Sequence, residues 1–345
     1  MSTQTVLRLT AQDTWEKLAE YQESIPSASK HEVLIKIRSV ALNFRDVAIS
    51  TGKYPFTVKD QVVLGSDAAG DVVGVGEGVL GFSQGDKVII TFDPATLYGP
   101  MKSWTTGLGG PVDGVLREYI SVPAHAVVKL PETSTLSYSQ WASMVCTGAT
   151  AWNSLYGIAP LKPGQTVLFQ GTGGVSTTGL VLAKAAGART IITSSSDEKL
   201  KYVKEKYGVD HTINYKKTPD WAAEAQKITD GQGVDFILEN GGSGTIKQSI
   251  EAIAYGGVIS VIGFLSSAPQ EEMPDVAILA LSKGAVVRGI MVSSKQQLEE
   301  AVRFVGVHDL PLPVEKSFKF GRDSVVQAFN YLTGGQHIGK ICIEF

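Results

Sequence analysis

The sequence predicts an α/β chain in two parts, a β-rich part and a doubly wound parallel sheet. Residues 1–135 read as short strands broken by Gly and Pro, which favours an antiparallel, partly closed β-structure. From about residue 137 strands alternate with helices, the pattern that right-handed βαβ crossovers require. A third observation adds a ligand. Residues 167–188 run VLFQ, GTGGVS and TTGLVLAKAAGA, an apolar strand, a glycine-rich turn and an apolar helix.

That turn has the chemistry of a dinucleotide site. Gly171 lets the strand turn sharply, and Gly173 has no side chain to hold a pyrophosphate away from the backbone. Thr172, Gly174 and Val175 complete the turn. The helix opening near Gly174 aims free N–H groups and its positive dipole end at the phosphates. A glycine string alone is a weak signal; its place between strand and helix in a βα pattern gives it weight.

A length of 345 residues suggests two domains. Hydrophobic residues at 43% and charged ones at 19% supply an ordinary globular core. A net charge of −3 offers no basic field to nucleic acid or an anionic membrane. No apolar run matches a membrane span, and the first residues (MSTQTVLRLTAQDTWEK) lack the apolar core of an export leader, so a cytoplasmic location is expected. Cys146 and Cys342 are too few for a disulfide framework or a four-thiolate zinc lobe. His31, His125, His211, His308 and His337 are scattered without ligand spacing.

In chain order, strands are expected over residues 33–40 (VLIKIRSV), 65–76, 87–92 and 115–123, with a long glycine-rich loop, lid or insertion, over 97–114. Helical stretches SYSQWASMVC and TAWNSLYGI lead into the strand at 167–169. Strands at 190–193, 211–214, 234–238, 258–262 and 286–291 then alternate with helices at 197–207, 220–229, 244–254 and 276–282. Beyond residue 295 come helix, strand, helix and a strand, GKICIEF, similar in type to the first part.

The second strand of the alternating part ends in Thr193-Ser194-Ser195-Ser196, with Ser195 where an NAD-specific site places an acid on the ribose 2′-OH. A carboxylate there would repel a 2′-phosphate, whereas the hydroxyls of Ser194 and Ser195 can donate to one, so NADP(H) is the expected cofactor.

Five motifs stand in a telling order: LNFRD (42–46), GSDAAGDVVGVGEGV (65–79), GDKV (85–88), CTGATAW (146–152) and GTGGVS. Their order resembles the medium-chain dehydrogenase/reductase superfamily over essentially the whole chain, and within it the zinc-free quinone oxidoreductase-like and enoyl reductase-like branch. The resemblance implies a GroES-like catalytic domain over residues 1–147, a Rossmann nucleotide-binding domain over 148–292 and a return to the catalytic domain over 293–345. It also implies a homodimer through the nucleotide domain's edge strand.

Zinc-dependent relatives hold catalytic metal with a Cys, a His and a second Cys. Asn43, Ser66 and Cys146 stand at those positions here, and no metal is expected. Lys199 and Tyr215 match the residues that meet the adenosine phosphate in NADPH-using members, or else are a solvated lysine and a strand-end aromatic. Thr150, Asn240, Ile262, Gly263 and Phe264 are implied cofactor contacts. Lys340 is set either against the pyrophosphate or in solvent.

Tyr54 matches the tyrosine with which enoyl-thioester reductases donate a proton or hold the enolate; otherwise it packs with Pro55 and Phe56 as an aromatic turn. Arg45, beside Asn43, either shapes the site or pairs with Asp46. The resemblance thus implies hydride transfer from NADPH to a small conjugated carbonyl or a quinone. Two alternatives stand beside it: a zinc-independent alcohol dehydrogenase or carbonyl reductase, and a protein that binds NADPH without turnover.

Overall fold

In the computed structural model, which describes residues 2–345, Thr150–Met291 form one unit, and residues 2–149 form another with Val292–Phe345. The first of these is a six-stranded sheet in the order His211–Asn214, Arg189–Ser194, Thr166–Gln170, Val234–Glu239, Ile253–Val261, Val286–Gly289. Every neighbouring pair is parallel. Leu168, Ile191, Ile237 and Ile259 are fully buried, as strands covered on both faces require. The strand order reverses between Thr166–Gln170 and Val234–Glu239, and sheets of this kind bind ligands at the carboxyl ends of strands beside such a reversal.

Helices Gly174–Ala185, Asp197–Tyr207, Trp221–Ile228, Ile246–Ala252 and Val276–Lys283 connect these strands. The helix expected over 244–254 is shorter, because Ile253 leaves it in an extended conformation and is fully buried as the first residue of the next strand. Asp197–Tyr207 has its signals where physics asks for them. Ser196 caps it by accepting from the Lys199 N–H, Asp197 and Glu198 fill the first turn, and left-handed Gly208 ends it.

The other unit holds a sheet running Val314–Lys319, Lys340–Glu344, Glu32–Ala41, Asp67–Val75, Lys87–Ile90, Val127–Lys129, with Tyr119–Pro123 also paired to Glu32–Ala41. Val33, Ile35 and Ile37 alternate inward and are fully buried. Pairing is antiparallel except between Val314–Lys319 and Lys340–Glu344, which are parallel and joined through helix Arg322–Thr333. The strand Lys340–Glu344 is therefore interior to the sheet. An N-terminal hairpin, Thr3–Leu9 with Leu18–Ser24, was not among the expected elements. The α/β class, a β-rich part beside a parallel sheet, is as the sequence predicts; the parallel pair Val314–Lys319 with Lys340–Glu344 departs from the antiparallel expectation for the first.

Helix Tyr138–Ser143 runs into a π-helical turn, Met144–Gly148, that carries Cys146. The segment 97–114 is tied down at its base: buried Asp93 accepts from the Ala95 N–H at 3.0 Å, Thr96 Oγ1 at 2.6 Å and Thr106 Oγ1 at 2.7 Å. Among the described residues no helix is long and apolar enough to cross a membrane.

Candidate active site

The glycine turn is built as an anion cradle. Gly171 has φ +75°, a left-handed conformation that favours glycine. A side-chain carbon placed at Gly171 or Gly173 would meet nothing within 4 Å, so the space above the turn is open. No side chain caps helix Gly174–Ala185, which leaves its first N–H groups available to an anion. Ser176, buried, donates instead to the Gln170 carbonyl at 2.7 Å and pins the helix to the strand end. Thr172 is buried beneath the turn, and Thr150, also buried, opens this unit with its carbonyl accepting from Ser154 Oγ at 2.8 Å.

At the ends of the next two strands, Ser194 is buried and Ser195 exposed, and the Ser194 carbonyl accepts from the Tyr215 N–H at 3.1 Å. That bond sets Tyr215, 42% exposed, beside the helix turn in which Ser196 fixes the Lys199 backbone. Asp197 is occupied elsewhere, accepting from Asn214 Nδ2 at 2.7 Å and pairing with Lys217 at 2.5 Å.

A network that the sequence did not announce lies at the carboxyl end of Val234–Glu239. Glu239 is fully buried, and its carboxylate accepts from the Gly241 and Gly242 N–H groups at 2.8 and 2.9 Å, from Gln170 Nε2 at 2.6 Å, and from the hydroxyls of Thr245 and Ser249. Gln170 Oε1 accepts from the Asn240 and Gly241 N–H groups at 3.0 and 3.1 Å. Asn240 Nδ2 donates to the Gln170 carbonyl and to Ser176 Oγ, both at 3.0 Å. Its amide N–H groups are thus spent inside the protein, and a cofactor contact from Asn240 falls to its carbonyl oxygen. Ile262 and Gly263 are half-buried and Phe264 is exposed in the adjoining turn.

In the β-rich unit, Arg45 is a hub. Its Nε–H donates to Tyr54 Oη at 3.1 Å and its Nη1 to the Leu108 carbonyl at 2.7 Å. The guanidinium lies 5.0 Å from the Tyr54 ring centre and 4.9 Å from that of Phe92. Gly110 leaves room for it, since a Cβ there would sit 2.4 Å from Arg45 Nη2. Tyr54 packs edge-on against Phe56 at 5.4 Å, and Phe56 stacks on Trp104 of the glycine-rich loop at 4.5 Å. The Arg45–Asp46 pair weighed from the sequence is not formed: Asp46, fully buried, accepts from the Asn43 N–H at 2.8 Å, and burial pushes its carboxyl up to about 6.

Lys340 requires a correction. It is buried, and its ammonium donates to the Leu42 carbonyl at 2.5 Å and to Asn43 Oδ1 at 2.7 Å, with Asp67 Oδ2 at 4.0 Å. Neither the pyrophosphate nor solvent receives it. Asn43 Nδ2, on the far side of the amide that Lys340 holds, is buried and turned to the Asp67 carboxylate, whose charged form it favours. Ser66 Oγ donates to Asp67 Oδ1 at 2.7 Å, and the Cys146 N–H donates to Asp67 Oδ2 at 3.1 Å.

Comparison with known proteins places this architecture. Residues 29–132 match the family described as alcohol dehydrogenase GroES-like domain, and residues 174–306 the family described as zinc-binding dehydrogenase. A zinc-type alcohol dehydrogenase-like protein of Schizosaccharomyces pombe is 42% identical over 318 residues, covering 91% of this chain and 90% of that one. The chain belongs to the medium-chain dehydrogenase/reductase superfamily. Mouse prostaglandin reductase-3 is 28% identical, covering 93% of this chain and 83% of that one. A Sinorhizobium meliloti 1021 chain provisionally assigned as an alcohol dehydrogenase superposes with a TM-score of 0.88 at 35% identity over the full length of both.

This dehydrogenase/reductase is an oxidoreductase whose neighbours include quinone oxidoreductase-like and prostaglandin reductase proteins. The zinc in its family description meets an unsuitable donor set. Asn43, Ser66 and Cys146 supply one thiol and no imidazole, burial pushes that thiol up to about 12, and the Lys340 ammonium already holds the Asn43 oxygen. Among the described residues no three His, Cys, Asp or Glu side chains gather as metal ligands.

Proposed function

We propose that the chain is a zinc-independent, NADPH-dependent reductase that moves hydride to a small conjugated carbonyl, an enone or enoyl thioester, or to a quinone. The observation that carries the reading is the buried Lys340 ammonium among Leu42, Asn43 and Asp67. A fixed monovalent cation, with its donors spent on protein oxygens, cannot bind and acidify an alcohol as a metal would. Conjugated acceptors need less: once hydride reaches carbon, only a donor for the anionic oxygen is required.

Tyr54 suits that task. Arg45 occupies a lone pair of its hydroxyl, which leaves the phenolic proton for a substrate oxygen, and the guanidinium balances the charge after that proton is given. The bound nicotinamide supplies the hydride. The turn Gly171–Thr172–Gly173–Gly174–Val175 would hold its pyrophosphate, Ser194, Ser195, Lys199 and Tyr215 the adenosine phosphate, and Thr150, Asn240 and Ile262–Gly263–Phe264 the nicotinamide half.

The resemblance to an alcohol dehydrogenase-like relative favours a second reading, a zinc-independent alcohol dehydrogenase or carbonyl reductase. We further propose a homodimer. Strand Val286–Gly289 is a sheet edge, and the adjoining helix Val276–Lys283 buries none of its side chains while exposing Ile278 and Leu281 at 60% and 77%.

The test is NADPH consumption with a panel of enones, enoyl thioesters, quinones and aldehydes, alongside metal analysis of the purified protein. Turnover of a conjugated acceptor, unaffected by chelators and without stoichiometric zinc, is expected. Activity lost on metal stripping, or turnover of alcohols and aldehydes alone, would overturn the first reading; tight NADPH binding without any turnover would leave a binding protein.

A further inference from the structure

We infer that Glu239 and Gln170 form a donor–acceptor lock that sets the three cofactor-facing turns in register, making both positioning residues for the nicotinamide half of the dinucleotide. The inference rests on the dinucleotide reading of this sheet. Glu239 is fully buried, and among the described residues no Lys, Arg or His pairs with it. Its charge is held by donors alone: two backbone N–H groups, two hydroxyls and the Gln170 amide. Buried carboxylates are tolerated when their lone pairs are filled in this way.

The consequence runs through the orientation of one amide. Because Glu239 can only accept, Gln170 must present Nε2 to it, and Oε1 is thereby turned to accept from Asn240 and Gly241. Gln170 is also the residue before Gly171, and its carbonyl takes both Asn240 Nδ2 and Ser176 Oγ. The Glu239 carbonyl in turn accepts from the N–H groups of Ile262 and Gly263 at 2.8 and 3.3 Å. Two residues therefore tie together the turns at 171–175, 240–242 and 262–264. The serines, lysine and tyrosine assigned to the adenosine phosphate lie outside this network.

Hydrogen-bond polarity makes a sharp test. Glu239→Gln keeps the shape but puts an NH2 group where an oxygen stood. If that group faces Gln170, the Gln170 amide must reverse and set its own NH2 against the N–H groups of Asn240 and Gly241; if it faces Gly241 and Gly242, donors meet there. Every arrangement leaves donor against donor. Exchanging the pair, Glu239→Gln with Gln170→Glu, restores the match: the carboxylate at 170 accepts from Asn240, Gly241, Ser249 and the new amide, and the amide oxygen at 239 accepts from Gly241, Gly242 and Thr245.

The experiment measures affinity for NADPH and for adenosine 2′-monophosphate, which carries the 2′-phosphate and no pyrophosphate, with hydrogen exchange of the Asn240 and Gly241 amides in the cofactor-free protein. Glu239→Gln should weaken NADPH about tenfold or more, leave the monophosphate within about twofold, and speed exchange at both amides. The exchanged pair should return NADPH to within about threefold of the parent and slow exchange again. Equal losses for both ligands, an unchanged NADPH affinity, or an exchanged pair that melts like the parent but binds like the single variant would overturn the lock. If the single variant does not fold, the exchanged pair still decides by the same readouts. A parent that binds neither ligand would refute the dinucleotide reading, and the exchange data would still report on the lock.

Discussion

A buried ammonium is costly unless a carboxylate stays close, and at Lys340 Asp67 fulfils that condition. Lys340→Ala should therefore cost about 3–5 kcal/mol in denaturant unfolding, by stranding the Asp67 charge. Lys340→Met combined with Asp67→Asn should recover much of that loss; a double variant as unstable as the single would show the pair is not coupled. At the adenosine end, charge-assisted bonds of roughly 1.5–3 kcal/mol each imply that Lys199→Ala weakens NADPH about ten- to a hundredfold while NADH barely changes. Equal losses would mean that Lys199 supports the fold and reads no phosphate. For Tyr54→Phe, loss of a donor aimed at developing charge costs roughly 2.7–4 kcal/mol, or about a hundred- to a thousandfold in single-turnover hydride transfer to an accepted enone. A rate within about threefold of the parent would return Tyr54 to packing on Phe56. Residue type explains why these sites were unevenly legible. Gly171 and Ser196 announce backbone geometry through local chemistry, whereas nothing local distinguishes Lys340 from an exposed lysine, because lysines are rarely buried and its partners lie about 300 residues away, with |i−j| of 298 and 297.

Among the elements, the turn after Ile253–Val261 packs its backbone directly on that of Asn240. A Cβ at Gly263 would lie 2.5 Å from the Asn240 carbonyl oxygen, a backbone atom that cannot swing aside. Gly263→Ala should weaken NADPH binding more than tenfold, read by fluorescence titration, while adenosine 2′-monophosphate binds as before; unchanged NADPH affinity would show that the turns move independently. The strands and helices of the parallel sheet were readable because their signals are local: apolar runs for doubly covered strands, and Ser196 and Gly208 at the ends of one helix. The hairpin Thr3–Leu9 with Leu18–Ser24 was not, since its second strand, LAEYQES, is largely exposed and carries little apolar alternation. The Glu239 network escaped notice for a related reason. A glutamate ending an apolar strand looks like surface until the donors around it, from residues 170 to 249, are assembled.

For the whole molecule, the exposed edge Val286–Gly289 and its uncovered helix predict a dimer in sedimentation. Leu281→Glu, at a site 77% exposed, should shift it toward monomer with little change in folding of the single chain. A parent that sediments as a monomer at every concentration would remove the proposal. That residues 340–344 would fill an interior place in the β-rich sheet was beyond the reach of pattern, which could record only that GKICIEF resembled the opening strands in type. The placement has a consequence for synthesis. On the ribosome, the segment Thr150–Met291 has all its strands in hand before residue 292 emerges, and can close as an independent sheet. The β-rich unit begins first but cannot finish, because the strand lying between Val314–Lys319 and Glu32–Ala41 is still to come. Until then two strand edges stand open, with Val40 and Ala41, fully buried in the finished sheet, at the gap, the kind of nascent surface that chaperones hold and that invites pairing with a neighbouring chain.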